Sequence, residues 1–214
     1  MAEETGSSGE DLLVVCTANV CRSPLAMRRF ATAFAGSEHL GGVTVSSAGT
    51  RTDEGWTMCT VSAGQLSEDP EDQAFAAAHR SRPLTRQAVT EAALVIAMER
   101  EQRSAIAQLA PGSQAKVYTL REVDGLLSVL RERGVETPVD LAGLARALHS
   151  VRGFAPLPPE PPKRRWFQRT AEPEDPLTIL DGHGLDDERH EAAVTTVRAT
   201  ADRVAAAIRQ VMGD

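Results

Sequence analysis

No apolar run in this chain of 214 residues approaches the roughly 20 residues that a membrane-crossing helix needs. The first ten residues, Met1 to Glu10, are acidic and small where an export signal would be basic and then apolar. Cysteine is scarce as well. Three residues, Cys16, Cys21 and Cys59, cannot build a closed disulfide framework, and the first two are too near each other to staple a fold. Such usage suits a reducing cytoplasm, where a thiol is kept for chemistry or simply buried. Basic excess is also missing. With 23 Lys and Arg against 30 Asp and Glu, a formal net charge of -7, the chain lacks the basic face that counterion release from nucleic acid requires. The expectation is a soluble, non-exported protein with no nucleic-acid or membrane partner, in which any basic site is local.

What is present suffices for a real core: 42% of the residues are hydrophobic and 25% charged, the balance of one domain of ordinary size. Residues 1–10 read as a disordered leader and 11–214 as a single domain. Leu12 to Val15 form a continuous apolar run ending in a polar loop, the pattern of a central parallel strand covered on both faces. Ser23 and Pro24 follow as a helix start, a hydroxyl N-cap and then proline, and Ala26, Phe30, Ala33 and Phe34 recur at helical spacing. Further strands are expected from Val43 into Gly49, over Leu94–Met98 and over Lys116–Leu120. Helices are expected over 86–91, 100–109, 121–133, 139–151 and about 187–212. Strands alternating with helices imply a parallel sheet with crossover helices, an α/β sandwich that binds ligands beyond the carboxyl ends of its strands. Seven of the 12 prolines fall between Pro156 and Pro176, around Lys163-Arg164-Arg165-Trp166-Phe167-Gln168-Arg169. This stretch, about 153–174, is expected to be a basic excursion that is neither helix nor interior strand.

The loop after the first strand, Cys16-Thr17-Ala18-Asn19-Val20-Cys21-Arg22-Ser23-Pro24, carries the chemistry. Seven residues between a strand end and a helix start can curl so that their backbone N–H groups converge on one anion. Phosphate fits such a nest. Arg22 adds a planar fork able to hold two phosphoryl oxygens at once, and Cys16 lies beneath as a nucleophile whose thiolate is favoured by helix dipole, amides and guanidinium.

These residues resemble the low-molecular-weight protein tyrosine phosphatases. The Cys-x5-Arg-Ser-Pro loop is joined by Ser47-Ala48-Gly49-Thr50, by His79-Arg80-Ser81-Arg82-Pro83-Leu84-Thr85 and by Val95-Ile96-Ala97-Met98-Glu99, each similar to a family stretch in order and spacing. The resemblance implies a doubly wound four-stranded parallel sheet and hydrolysis through a phosphocysteine, with no metal and no cofactor. It assigns Cys16 as nucleophile and Arg22 as phosphoryl clamp, with Thr17, Ala18, Asn19, Val20, Cys21 and Ser23 completing the phosphate loop. Asn19 would hold the loop in shape and Ser23 would donate to the cysteine sulfur. The family's general acid is an aspartate before proline, near the last helix. Asp175-Pro176 fits that order and makes Asp175 the expected acid, with Asp181 and Glu174 as substitutes.

Departures from the family bear on specificity. Leu177 and Thr178 stand where tyrosines often wall the substrate slot, which leaves Val20, Trp56, Trp166, Phe167 and Leu177 as slot candidates. In this family a threonine at the position of Val20 goes with phosphoarginine and a bulky aliphatic with phosphotyrosine. Cys21 is either a packing residue or the partner that captures oxidised Cys16. Cys59 reads as a bystander, His79 as a structural hydrogen-bonder, and His39, His149, His183 and His190 as surface residues without ligand spacing. The expected activity is hydrolysis of phosphotyrosine in a phosphorylated protein. A protein-arginine phosphatase and a non-catalytic phosphoprotein-binding module are the alternatives, and an arsenate reductase would need a relay of further cysteines.

Overall fold

The computed structural model describes residues 12–154 and 175–214. The leader, and most of the Pro-rich stretch with Trp166, Phe167 and Glu174, lie outside the described residues. Four strands, β1 (Leu12–Cys16), β2 (Val45–Gly49), β3 (Leu94–Ala97) and β4 (Val117–Thr119), form one sheet in the order β2-β1-β3-β4. Every pairing is parallel: Leu12 lies opposite Val45 on one side and Leu94 on the other, and Val95 lies opposite Val117. Among the described residues eight α-helices accompany them: α1 (Arg22–Phe34), α2 (Thr60–Ala63), α3 (Pro70–Ala78), α4 (Arg86–Glu91), α5 (Arg100–Leu109), α6 (Leu120–Arg133), α7 (Leu141–Val151) and α8 (Asp187–Met212).

Strand periodicity divides the interior into two layers. Leu12, Val14, Ile96 and Tyr118 face a large cluster with Phe30, Leu126, Leu144 and Val204, whereas Leu13, Val15, Val95 and Val117 face a smaller one with Val89 and Ile106. Burial on both faces explains the unbroken apolar run at Leu12–Val15. α8 lays Val194, Val197, Ala201, Val204 and Ile208 into the larger layer, one side chain per turn, and each fully buried Val or Ile contributes about 1.5–3 kcal/mol.

The chain leaves β1 toward β2 on one side and returns to β3 on the other. The carboxyl ends of β1 and β3 are therefore the point where the winding reverses and a crevice opens. β1 ends at Cys16 there, and β3 delivers Met98 and Glu99. One expected detail differs. The helix after the loop opens at Arg22, with no side-chain cap from Cys21, and Ser23 lies inside it. The Ser23 hydroxyl is taken by the loop it follows, described next.

Candidate active site

Cys16 is 2% exposed. Its Sγ lies 3.0 Å from Ser23 Oγ and accepts the Asn19 backbone N–H at 3.2 Å. Asn19 sits at φ +55°, the one non-glycine residue of positive φ among the described residues; asparagine tolerates that region better than most side chains. Its amide organises the loop. Nδ2 donates to Ser23 Oγ and to Ser47 Oγ, each at 2.9 Å, and Oδ1 accepts the Arg82 backbone N–H at 2.9 Å. His79 Nε2 meets the Asn19 carbonyl at 2.7 Å, so the neutral tautomer with a proton on Nε2 is the one that bonds. Burial pushes His79 below its ordinary value, against the pull of that carbonyl, and the charges of Arg82 and Arg80 add to the push.

The β2 end packs close beneath. Thr50 and Arg51 donate backbone N–H groups to the Cys16 and Thr17 carbonyls at 3.0 and 2.9 Å. A Cβ at Gly49 would fall 2.7 Å from the Thr17 carbonyl oxygen, so glycine is required for that approach. The family-like stretches at 47–50 and 79–85 are thus the outer supports of the loop.

Arg22 is 1% exposed. It pairs with Glu99 through Nη1, which also donates to the Ile179 carbonyl at 2.9 Å, while Nη2 pairs with Asp181 at 2.6 Å and reaches Thr17 Oγ1 at 3.4 Å. Burial works against the guanidinium charge, yet Cys16, Asp181 and Glu99 together hold its pKa above the ordinary value. Gln102 braces the same corner: its Oε1 accepts the Met98 and Glu99 N–H groups at 2.9 and 3.1 Å, and its Nε2 donates to Thr17 Oγ1 at 3.1 Å.

The two candidate aspartates occupy different places. Ile179 N–H donates to the Met98 carbonyl at 2.9 Å, which seats the following residues against the end of β3 and brings Asp181 onto Arg22. Asp175 lies on other partners: its carboxylate pairs with Arg100 Nε at 3.2 Å and caps its own turn through the Leu177 N–H at 3.0 Å. Among the slot candidates, Val20 is buried, Leu177 is half-buried, and Trp56 is 53% exposed, with its backbone fastened to Ser81. Cys21 is buried and directs Sγ to Ser62 Oγ at 3.1 Å and His190 Nε2 at 3.3 Å. Cys59 Sγ lies 3.4 Å from the same nitrogen. A hydrogen bond between the two thiols pushes Cys59 down to about 4, and the same bond with burial pushes Cys21 up.

Sequence reasoning left Glu99 and Gln102 without roles and read His190 as a surface residue, whereas His190 is half-buried with Nε2 against the sulfurs of Cys21 and Cys59. For the first two a signal existed: polar residues just past a strand that flanks β1 stand at the winding reversal. His190 had none, because its partners come from distant parts of the chain.

A thiol and a guanidinium at the two ends of one seven-residue loop, at the carboxyl edge of a parallel sheet, form the apparatus of a cysteine-based phosphatase. A profile of the low molecular weight phosphotyrosine protein phosphatase family matches residues 11–150, and the chain belongs to that family. A protein-arginine-phosphatase of Geobacillus stearothermophilus is 33% identical over 111 residues, 52% of this chain and 69% of that one. In fold, the chain is similar to the YwlE arginine phosphatase from Geobacillus stearothermophilus, with a TM-score of 0.57 and 23% identity over 94% of each chain. It is also similar to the tyrosine phosphatase Wzb from Escherichia coli K30, with a TM-score of 0.56 and 16% identity over 93% of this chain and 98% of that one.

Proposed function

We propose that the enzyme hydrolyses phosphotyrosine in proteins, with Cys16 as nucleophile, Arg22 as clamp and Asp181, rather than Asp175, as general acid. The observation that carries this reading is the Cys16–Asn19–Ser23 hydrogen-bond set beside a buried Arg22 that already holds a carboxylate on Nη2. A phosphoryl group presents two oxygens to the same fork. Its arrival displaces Asp181 from Arg22, and the carboxylate freed of that pairing takes up the proton of the phosphoester monoanion beside the leaving oxygen. The Cys16 thiolate attacks phosphorus in line, the P–O bond to the tyrosine breaks, and the Asp181 proton goes to the departing phenolic oxygen. Water then attacks the phosphocysteine, gives its proton to the Asp181 carboxylate, and releases Cys16 thiolate and phosphate. Positioned acid–base help of this kind contributes about 10²- to 10⁴-fold. The Ser23 hydroxyl and the Asn19 N–H stabilise the sulfur as it leaves.

Val20 in place of threonine favours phosphotyrosine. Because Val20 is buried, the exposed ring of Trp56 is the better candidate to face a substrate aromatic, with stacking of about 0.5–1.5 kcal/mol. The 33% identical arginine phosphatase supports phosphoarginine as the second reading. Among the described residues no helix is long and apolar enough to cross a membrane, and all three cysteines are free. Both fit a cytoplasmic enzyme whose nucleophile must stay reduced.

Phosphotyrosine, phosphoarginine and phosphoserine peptides at equal concentration test the substrate; faster cleavage of phosphoarginine would overturn the choice, and no hydrolysis of even a simple aryl phosphate would indicate a binding module. The acid is tested by leaving group. Asp181→Asn should slow poor leaving groups strongly and activated aryl phosphates little, whereas that pattern in Asp175→Asn would return the role to Asp175.

A further inference from the structure

Beside the phosphate loop lies a cluster of thiols and imidazoles that phosphoryl transfer does not use. One ligand atom from each of Cys21, Cys59, His183 and His190 lies within 4.8 Å of every other. Cys21 Sγ and Cys59 Sγ stand 3.3 and 3.4 Å from His190 Nε2, and the two imidazoles meet edge-on with centroids 5.0 Å apart. Tetrahedral Zn²⁺ with bonds of about 2.3 Å to sulfur and 2.0–2.1 Å to nitrogen needs ligand atoms about 3.3–3.8 Å apart. Both sulfur–nitrogen distances already suit that geometry, and no pair need close by more than about 1.5 Å. Two soft thiolates with two imidazoles select zinc over magnesium or calcium, which need oxygen ligands.

We propose that Cys21, Cys59, His183 and His190 bind one Zn²⁺ as a structural Cys₂His₂ site. Both sulfurs bind as thiolates and any thiol proton still held goes to solvent, with no change of oxidation state, so the ion and its two thiolates together carry no net charge in their half-buried setting. All four positions are filled from the protein, which leaves none open for a reacting water. The ion therefore does not replace Cys16 chemistry.

Its position gives it a mechanical role. Cys21 adjoins Arg22, Cys59 precedes α2 and fastens its N–H to the Val20 carbonyl at 2.7 Å, His183 follows Asp181 by two residues, and His190 is in α8. One ion thus ties the phosphate loop, the Asp181 loop and the last helix together. The backbone is shaped for that approach, since a Cβ at Gly182 would fall 2.5 Å from His190 Cα. Burial is graded from buried Cys21, through half-buried Cys59 and His190, to exposed His183, which leaves an entry path from solvent.

The test uses the full chain, reduced and stripped of metal, titrated with Zn²⁺ against a chromogenic chelator and separately with Co²⁺. One equivalent should bind, and Co²⁺ should show the intense visible bands and thiolate charge transfer of a tetrahedral sulfur–nitrogen site. Cys59→Ser and His190→Gln should each weaken binding by more than the about 10- to 100-fold that loss of an outer-shell partner costs. Should either variant fail to fold, alkylation of the wild-type protein keeps the question decidable: zinc should protect Cys21 and Cys59 while Cys16 still reacts. Loss of the metal to the chelator without stoichiometric binding, an octahedral cobalt spectrum, unprotected thiols, or a Cys21–Cys59 disulfide forming equally fast with and without zinc would each overturn the site. None of these readouts depends on which phosphoryl substrate the enzyme cleaves.

Discussion

At the scale of residues, the site separates binding from reaction. Cys16→Ser should abolish turnover while phosphate and vanadate still bind, because a serine hydroxyl is not ionised there but Arg22 and the loop amides remain; measurable hydrolysis above background in the purified variant would refute the thiolate mechanism. Arg22→Lys should fail in both, since a point charge cannot reproduce a two-pronged contact. Asn19 holds the loop with three side-chain hydrogen bonds. At about 0.5–1.5 kcal/mol each, Asn19→Ala should cost ~2–4 kcal/mol in denaturant unfolding and lower turnover even where the protein is folded. Retained activity with unchanged stability would mean that the loop keeps its shape without that amide. Cys16, Asn19, Arg22 and Ser23 were legible because one loop carries them in a fixed order. The proposed acid was less so: Asp175 and Asp181 both precede the last helix, and the tie from Ile179 to Met98, beside which Asp181 and not Asp175 pairs with Arg22, leaves no mark in local sequence. Cys59 and His190 are hidden for the same reason, being joined to Cys21 only by folding.

At the scale of elements, β1 and α8 were the clearest in sequence, because an unbroken apolar run and a long 3.6-residue period each have one natural environment. The helices over 86–91 and 100–109 have the expected bounds. β2 begins at Val45, two residues after the expected Val43, since β-branched character continues past the point where pairing with Leu12 begins. The segment after Trp56 folds into α2 and α3, whose short apolar spacing gave little signal. Asp69-Pro70 did carry one: Asp69 caps α3 by accepting the Glu71 N–H at 2.8 Å, with Pro70 at the first helical position. α8 is held by burial instead of caps alone. Ile208→Ala, at a fully buried position, should destabilise by about 2–5 kcal/mol through lost transfer energy and the cavity left behind. The turnover of the folded fraction should stay near that of the parent, since the removed atoms are in the core. A loss under 1 kcal/mol in equilibrium unfolding would show that α8 is not a firm part of the core.

At the scale of the whole molecule, the site and the fold share titrating supports, and their signs agree. Glu122 is buried, which alone would raise its pKa, but a hydrogen bond and charge from Arg152 and the charge of Arg103 outweigh burial and hold it below its ordinary value. Asp72 follows the same pattern: burial is outweighed by the Ser67 hydroxyl and by Arg28, whose Nε lies 2.5 Å away. His79 is held low by burial while it bonds the Asn19 carbonyl of the phosphate loop. In each case the folded state binds its proton less readily than the unfolded chain, so the contribution to stability is complete above the unfolded value and is lost as pH falls through the folded one. Two separate losses result. The first begins near the ordinary histidine value of 6.5 and belongs to His79; the second begins near 4.5 and belongs first to Glu122, then to Asp72 below its ordinary 3.8. Urea midpoints at about pH 7.5 and about pH 5.5 should therefore show a less stable protein at the lower value. In His79→Gln, which keeps a donor for the Asn19 carbonyl but cannot take up a proton, that first loss should disappear while the acid loss below about 4.5 persists. A wild-type midpoint that is flat between the two values, or a variant that still loses stability there, would remove His79 as the origin. Glu122→Gln should show the complementary result, a loss of about 1–3 kcal/mol at neutral pH from weakened charged hydrogen bonds and a shallower decline in acid.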